Sequence, residues 1–207
     1  MTGIIDYGVG NLFSLCCSLN SIGADAVVTS DVDVIRKADK LILPGVGAFA
    51  DAAQKLRESG MDALIREQVS KGKEIMGICL GMQLLFEKGY EYGCHEGLGL
   101  IPGEVRPIAD VIPQNLKIPH MGWSSVEVEN PCPLAEGIKA GDMLHTDGLE
   151  GQAIKLAFPG NYGLGSAPTV LANGGSCKRN TLKRGDAGIS GRNTLDYAAF
   201  YGCFSYH

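Results

Sequence analysis

Aromatic side chains are scarce in this chain, 7% of 207 residues, and tryptophan occurs once, at Trp123. That composition suits neither a β-sandwich nor a coiled coil. No run of eighteen apolar residues is present, which excludes a membrane-spanning helix and predicts no membrane partner. The opening residues carry no basic cluster and reach Asp6 at once, so no secretory leader is expected and a cytoplasmic location is. Basic residues are outnumbered by acidic ones, with a net charge of −5 and a pI near 5.4, which argues against nucleic acid as a partner. The seven cysteines include no C-x-x-C pair, so a zinc ribbon and a thioredoxin-type centre are excluded and no metal is expected. In a reducing compartment these thiols read as small buried hydrophobes, unless one is a nucleophile. What the chain does have is glycine, 29 residues, with 45% hydrophobic and 20% charged residues. This is enough apolar material for a real core, and the length predicts a single domain over residues 1–207.

The hydrophobic pattern predicts alternating strands and helices. Residues 3–6, 26–29, 40–43 and 74–78 read as short buried strands. Between them, Leu12, Leu15, Cys16, Leu19 and Ile22 recur at helical spacing before Gly23, and Val32 to Ala38 reads as a short helix. Ala48 to Ser70 has a roughly helical period, and Leu80 to Glu87 is expected to be helical. Such alternation predicts a mostly parallel sheet with helices on both faces, with ligands at the carboxyl ends of the strands. From about Gly93 the pattern turns to shorter strands and turns. Residues 143–207 carry eleven glycines and a net charge of +2, against −7 for residues 1–142, and their apolar periodicity is weak.

Gly77-Ile78-Cys79-Leu80-Gly81 has the form G-x-nucleophile-x-G between an expected strand and an expected helix. A nucleophile on a tight, strained turn needs glycine neighbours to avoid backbone clashes, and the turn presents it at the sheet's carboxyl edge. The start of the following helix is expected to favour the thiolate through its dipole. The glycine-rich loop Pro44-Gly45-Val46-Gly47 follows the neighbouring strand and is suited to aim N–H groups at a developing oxyanion. Together the two loops fit acyl transfer through a thioester.

Five segments in this order, Ile4 to Leu12, Leu43 to Phe49, Gly77 to Phe86, Gly97 to Gly103 and Pro119 to Trp123, resemble class I glutamine amidotransferases. Within that class they resemble the glutaminase subunits of imidazole glycerol phosphate synthases, which serve histidine biosynthesis. The likeness covers residues 1 to about 142. It implies a flavodoxin-like α/β fold and a reaction without metal or organic cofactor. It implies that Cys79 attacks the carboxamide of glutamine. Pro44, Gly45, Val46 and Gly47, with the amide of Leu80, would form the oxyanion hole, and Gln83 would contact glutamine. Ammonia would pass to a (β/α)8-barrel synthase subunit in a heterodimer. Asn11, His120, Met121 and Trp123 would lie toward that partner, although Asn11 also reads as a plain helix cap and a lone Trp as core.

The likeness fails in one respect. The family's H-P-E segment, which supplies a catalytic His and Glu, is absent. The histidines are His95, His120, His145 and His207, and the last glutamate is Glu150. A base that activates the thiol and protonates leaving ammonia contributes roughly 10²–10⁴-fold. Weak turnover is therefore expected of this sequence. A shifted reading frame after residue 142, a divergent end on a scaffold that binds a synthase without turning over glutamine, and recruitment of His145 or His207 all remain open on these residues.

Overall fold

The computed structural model describes residues 1–110, Gln114 and Lys139, together with the backbone of seven short strands between His120 and Tyr201. The first half of the chain builds an α/β layer structure. Strands β1 (Thr2–Ile5), β2 (Ala26–Thr29), β3 (Lys40–Leu43) and β4 (Glu74–Gly77) lie in the spatial order β2, β1, β3, β4. All three of their pairings are parallel, with Thr2 opposite Ala26 and Lys40, and Leu43 opposite Gly77. The four expected strands are therefore present, in one sheet and in the expected sense.

Alternation along these strands divides the core in two. Ile4 and Ile42 face Leu15 and Leu19 of helix α1 (Leu12–Ser21), with Met76 and Ile78 packed alongside. Ile5, Leu41, Leu43 and Ile75 point the other way. They pack with Ile35 of α2 (Val32–Lys37), with Phe49, Ala52 and Leu56 of α3 (Phe49–Glu58), and with Leu64 and Ile65 of α4 (Met61–Ser70). Full burial of each such side chain is worth about 1.5–3 kcal/mol. Helices thus cover both faces, as the sequence pattern implies. The long periodic stretch from Ala48 to Ser70 is two helices, because Gly60 takes a left-handed conformation (φ 72°) between them.

The helix expected over Leu80 to Glu87 is not formed as such. Helix α5 covers only Leu80–Gln83, and Phe86–Gly89 is strand β5. The reason lies downstream. The carbonyls of Leu84, Leu85 and Phe86 accept from the amides of Leu98, Leu100 and Gly99, at 2.7, 2.8 and 3.0 Å. Strand β5 also pairs antiparallel with β6 (His95–Glu96) and parallel with β7 (Ile101–Pro107). Leu84, Leu85 and Phe86 are all fully buried; Leu84 and Leu85 close the turn after α5, and the chain becomes extended from Phe86, where the bonds from residues 97–101 take over from helical ones.

Further along, β8 (His120–Val128) pairs antiparallel with β9 (Met143–Leu149), and β10 (Gln152–Leu156) extends the β5–β7 sheet. The two-residue strand β11 (Tyr162–Gly163) pairs with β10. Strand β12 (Pro168–Ala172) joins the main sheet antiparallel to β4, β13 (Leu182–Arg184) pairs with β8, and β14 (Ala199–Tyr201) pairs with β12. The main sheet therefore has six strands, parallel across β2, β1, β3 and β4 and antiparallel where β12 and β14 join, and so is mostly parallel.

Candidate active site

The site forms where β1, β3 and β4 end. Cys79 follows β4 by two residues and stands at φ 55°, ψ −119°. This is a conformation that side chains with a Cβ avoid. A strained, non-glycine residue between a strand and a helix is what a nucleophile elbow requires.

The glycines around Cys79 explain how the strain is tolerated. A Cβ on Gly77 would collide with the backbone of Met82, and one on Gly81 with the carbonyl of Leu43. A Cβ on Gly45 would lie 2.5 Å from the amide nitrogen of Gly81. The elbow and the Pro44–Gly45 loop are therefore in backbone contact. They are joined by the amide of Ile78 donating to Leu43 O at 3.0 Å. The turn after Cys79 is closed by its own carbonyl, which accepts from Met82 and Gln83 at 3.0 and 3.2 Å.

The expected thiolate-favouring helix is a single turn, α5, so the aligned dipoles behind Cys79 are few and that contribution is small. Cys79 itself is half-buried. Leu80 is buried and Gln83 half-buried at the end of α5. In the loop, Pro44 and Gly45 are buried, while Val46 and Gly47 are exposed. Gly47 is left-handed, with φ 91° and no atom within 4 Å of a Cβ position.

Two residues without an assigned role in the sequence reading hold the site together. Tyr7, 5% exposed, donates its hydroxyl to Pro44 O at 2.8 Å. Burial, and the nearby Cys79 charge, push its pKa far above the ordinary tyrosine range, so it stays a proton donor. Its signal in the sequence was its place directly after a buried strand, where a tyrosine hydroxyl must find a partner. Glu91 accepts from the amide of Phe49 at 2.7 Å and so caps α3, whose N-cap residue Ala48 makes no side-chain hydrogen bond. No pattern in the sequence announces this long-range cap.

Asn11 is the N-cap of α1, accepting from Ser14 N at 3.2 Å. It is exposed at the same edge of the sheet, since Gly10 packs against Pro44. Residues 120, 121 and 123 lie in β8, with Trp123 opposite His145 in the ladder with β9. Their side chains, and the whole 185–198 segment, lie outside the described residues.

Residues 19–115 match the CobB/CobQ-like glutamine amidotransferase domain family. A protein named imidazole glycerol phosphate synthase subunit HisH, from Aquifex aeolicus, is 46% identical over 145 residues, spanning 70% of this chain and 68% of the relative. The protein of the same name from Caldanaerobacter subterraneus subsp. tengcongensis is 42% identical over 195 residues, or 91% of this chain and 94% of the relative. This chain belongs to the HisH family. Among solved structures, one titled as a glutamine amidotransferase superposes with a TM-score of 0.58 at 19% identity, covering 84% of this chain and 85% of that one. That likeness bears on fold alone, and it agrees with the layer structure found in this HisH family member.

Proposed function

We propose that this chain is a glutaminase subunit, hydrolysing glutamine to glutamate and ammonia through a thioester on Cys79. Ammonia is handed to a (β/α)8-barrel synthase subunit, in a cytoplasmic heterodimer, for imidazole glycerol phosphate formation. The observation that carries the reading is the strained Cys79 at the carboxyl edge of the parallel sheet, in backbone contact with the Pro44–Gly45 loop. The names of the relatives support the pathway and the presence of a synthase partner.

In this mechanism the Cys79 sulfur attacks the carboxamide carbon of glutamine. The carbonyl electrons move onto oxygen, where amides of the 44–47 loop and of Leu80 stabilise the charge. The C–N bond then breaks, and ammonia leaves once its nitrogen has gained a proton. Water attacks the resulting thioester, releasing glutamate and restoring the thiol. Gln83, one turn beyond the nucleophile, contacts bound glutamine in this reading. Among the described residues no His–Glu pair stands beside Cys79 to move these protons. The scaffold reading rests on that lack alone, while family membership and the intact elbow favour the enzyme. Proton supply to the leaving nitrogen then limits the rate.

The test is glutamate release from glutamine, with and without the barrel subunit, for the native chain and Cys79→Ala. Release that depends on Cys79 and rises with the partner is expected. Equal release from Cys79→Ala would refute the thioester.

A further inference from the structure

The loop at residues 44–47 is held at one end and loose at the other. At the near end, the Pro44 carbonyl accepts the Tyr7 hydroxyl at 2.8 Å, and the Gly45 backbone is wedged against Leu80 and Gly81. At the far end, Val46 is 53% exposed, and Gly47 is left-handed with open space around it. A trans peptide carries its C=O and N–H on opposite sides. Holding the Pro44 carbonyl therefore also fixes the direction of the Gly45 amide.

We propose that Tyr7 is a positioning residue for the glutaminase reaction: by holding the Pro44 carbonyl it immobilises the first half of the oxyanion loop and so fixes the direction of the Gly45 amide. This rests on the glutaminase reading above. Tyr7 does not touch the reacting atoms through this bond. It acts through the loop, and its burial keeps the phenol protonated so that the bond is not lost at alkaline pH.

Tyr7→Phe keeps the buried ring and removes only the hydroxyl. The assay is release of p-nitroaniline from γ-glutamyl-p-nitroanilide by the full chain with its barrel partner. Its good leaving group lessens the need for a general acid but still forms an oxyanion. In parallel, iodoacetamide alkylation of Cys79 is followed by mass spectrometry, because that displacement develops no oxyanion. The expected result is a fall in kcat of about 10–10²-fold, smaller than the 10²–10³ of losing a donor outright. KM and the alkylation rate should stay within about twofold. Unchanged kcat would overturn the proposal, as would an equal fall in both reactions, which would make Tyr7 a general support of the elbow. If the native chain shows no Cys79-dependent release while Cys79 still alkylates, the glutaminase reading fails instead. Should Tyr7→Phe not fold, a ring-fluorinated tyrosine at position 7 preserves shape and lowers the phenol pKa. Loss of rate as pH rises, absent from the native chain, is then expected, and a profile identical to the native one would overturn the assignment.

Discussion

At the scale of single residues, geometry separates Cys79 from the other thiols better than exposure does. Cys17 and Cys94 are exposed, while Cys16 and Cys79 are half-buried. A small, indiscriminate alkylator should therefore label Cys17 and Cys94 readily. A glutamine-shaped chloroketone should instead select Cys79, the one cysteine among the described residues carried on a strained elbow beside the 44–47 loop. Peptide mapping after limited labelling checks this, and predominant labelling of another cysteine would refute the assignment. The glycines make a second prediction at this scale. Gly81→Ala would drive a Cβ into the Leu43 carbonyl, which cannot withdraw without breaking the β3–β4 ladder. It should lose about 3 kcal/mol or more in urea unfolding, at the upper end of overpacking effects. Gly47→Ala meets open space and only a left-handed backbone, so about 1–2 kcal/mol is expected. A Gly81→Ala protein as stable as the native one would show that the elbow and the loop are not in contact.

At the scale of elements, the site depends on where helices begin. Helix α3 starts two residues after Gly47 and has no cap of its own, so the Glu91 carboxylate supplies it from 42 residues away. Removing it with Glu91→Ala should cost about 1 kcal/mol, as for other lost caps. Thermal unfolding measures this, and no change in midpoint would count against the cap. This scale also shows what the sequence made readable. The four parallel strands were legible because each is a short, largely apolar run, two of them ended at once by Asp6 and Pro44, and because α1 and α2 carry clear periodic faces between them. The elbow was legible because its glycines stand at fixed offsets from Cys79. The early end of α5 was not, because a buried apolar run is compatible with helix or strand, and bonds from residues 98–100 to the carbonyls of Leu84, Leu85 and Phe86 end the helix there. The partners of Tyr7 and Glu91 were missed for a similar reason, although the place of Tyr7 after a buried strand shows that its hydroxyl needs one. Their hydrogen bonds join residues 37 and 42 positions apart, and local patterning carries no record of such pairs.

For the molecule as a whole, the two halves of the chain stand differently toward the proposed chemistry. Residues 1–110 contain the parallel part of the sheet, the elbow, the loop and the residues that fix them, and residues 19–115 match the amidotransferase domain family. The acid–base function expected of the family would come from the C-terminal part, where no H-P-E segment occurs. Two steps need protons moved: thiol activation with departure of ammonia, and hydrolysis of the thioester. A partner that completes the oxyanion hole lowers the barrier for forming the tetrahedral species but supplies no proton. Docking alone should therefore raise glutamate release by less than it does in a chain with the His–Glu pair. Grafting a HisH-family C-terminal segment that carries H-P-E in place of residues 143–207 should raise partner-stimulated turnover by about 10²–10⁴-fold, the usual worth of a positioned acid–base group. Labelling of Cys79 by the glutamine-shaped electrophile should change less, because it shares the thiol-activation step but the departing chloride, unlike ammonia, needs no proton. Steady-state glutamate release by the native and grafted chains, each with the barrel subunit, decides the matter. Equal turnover in the two would mean that the native sequence already moves these protons, and that the H-P-E segment is dispensable on this scaffold.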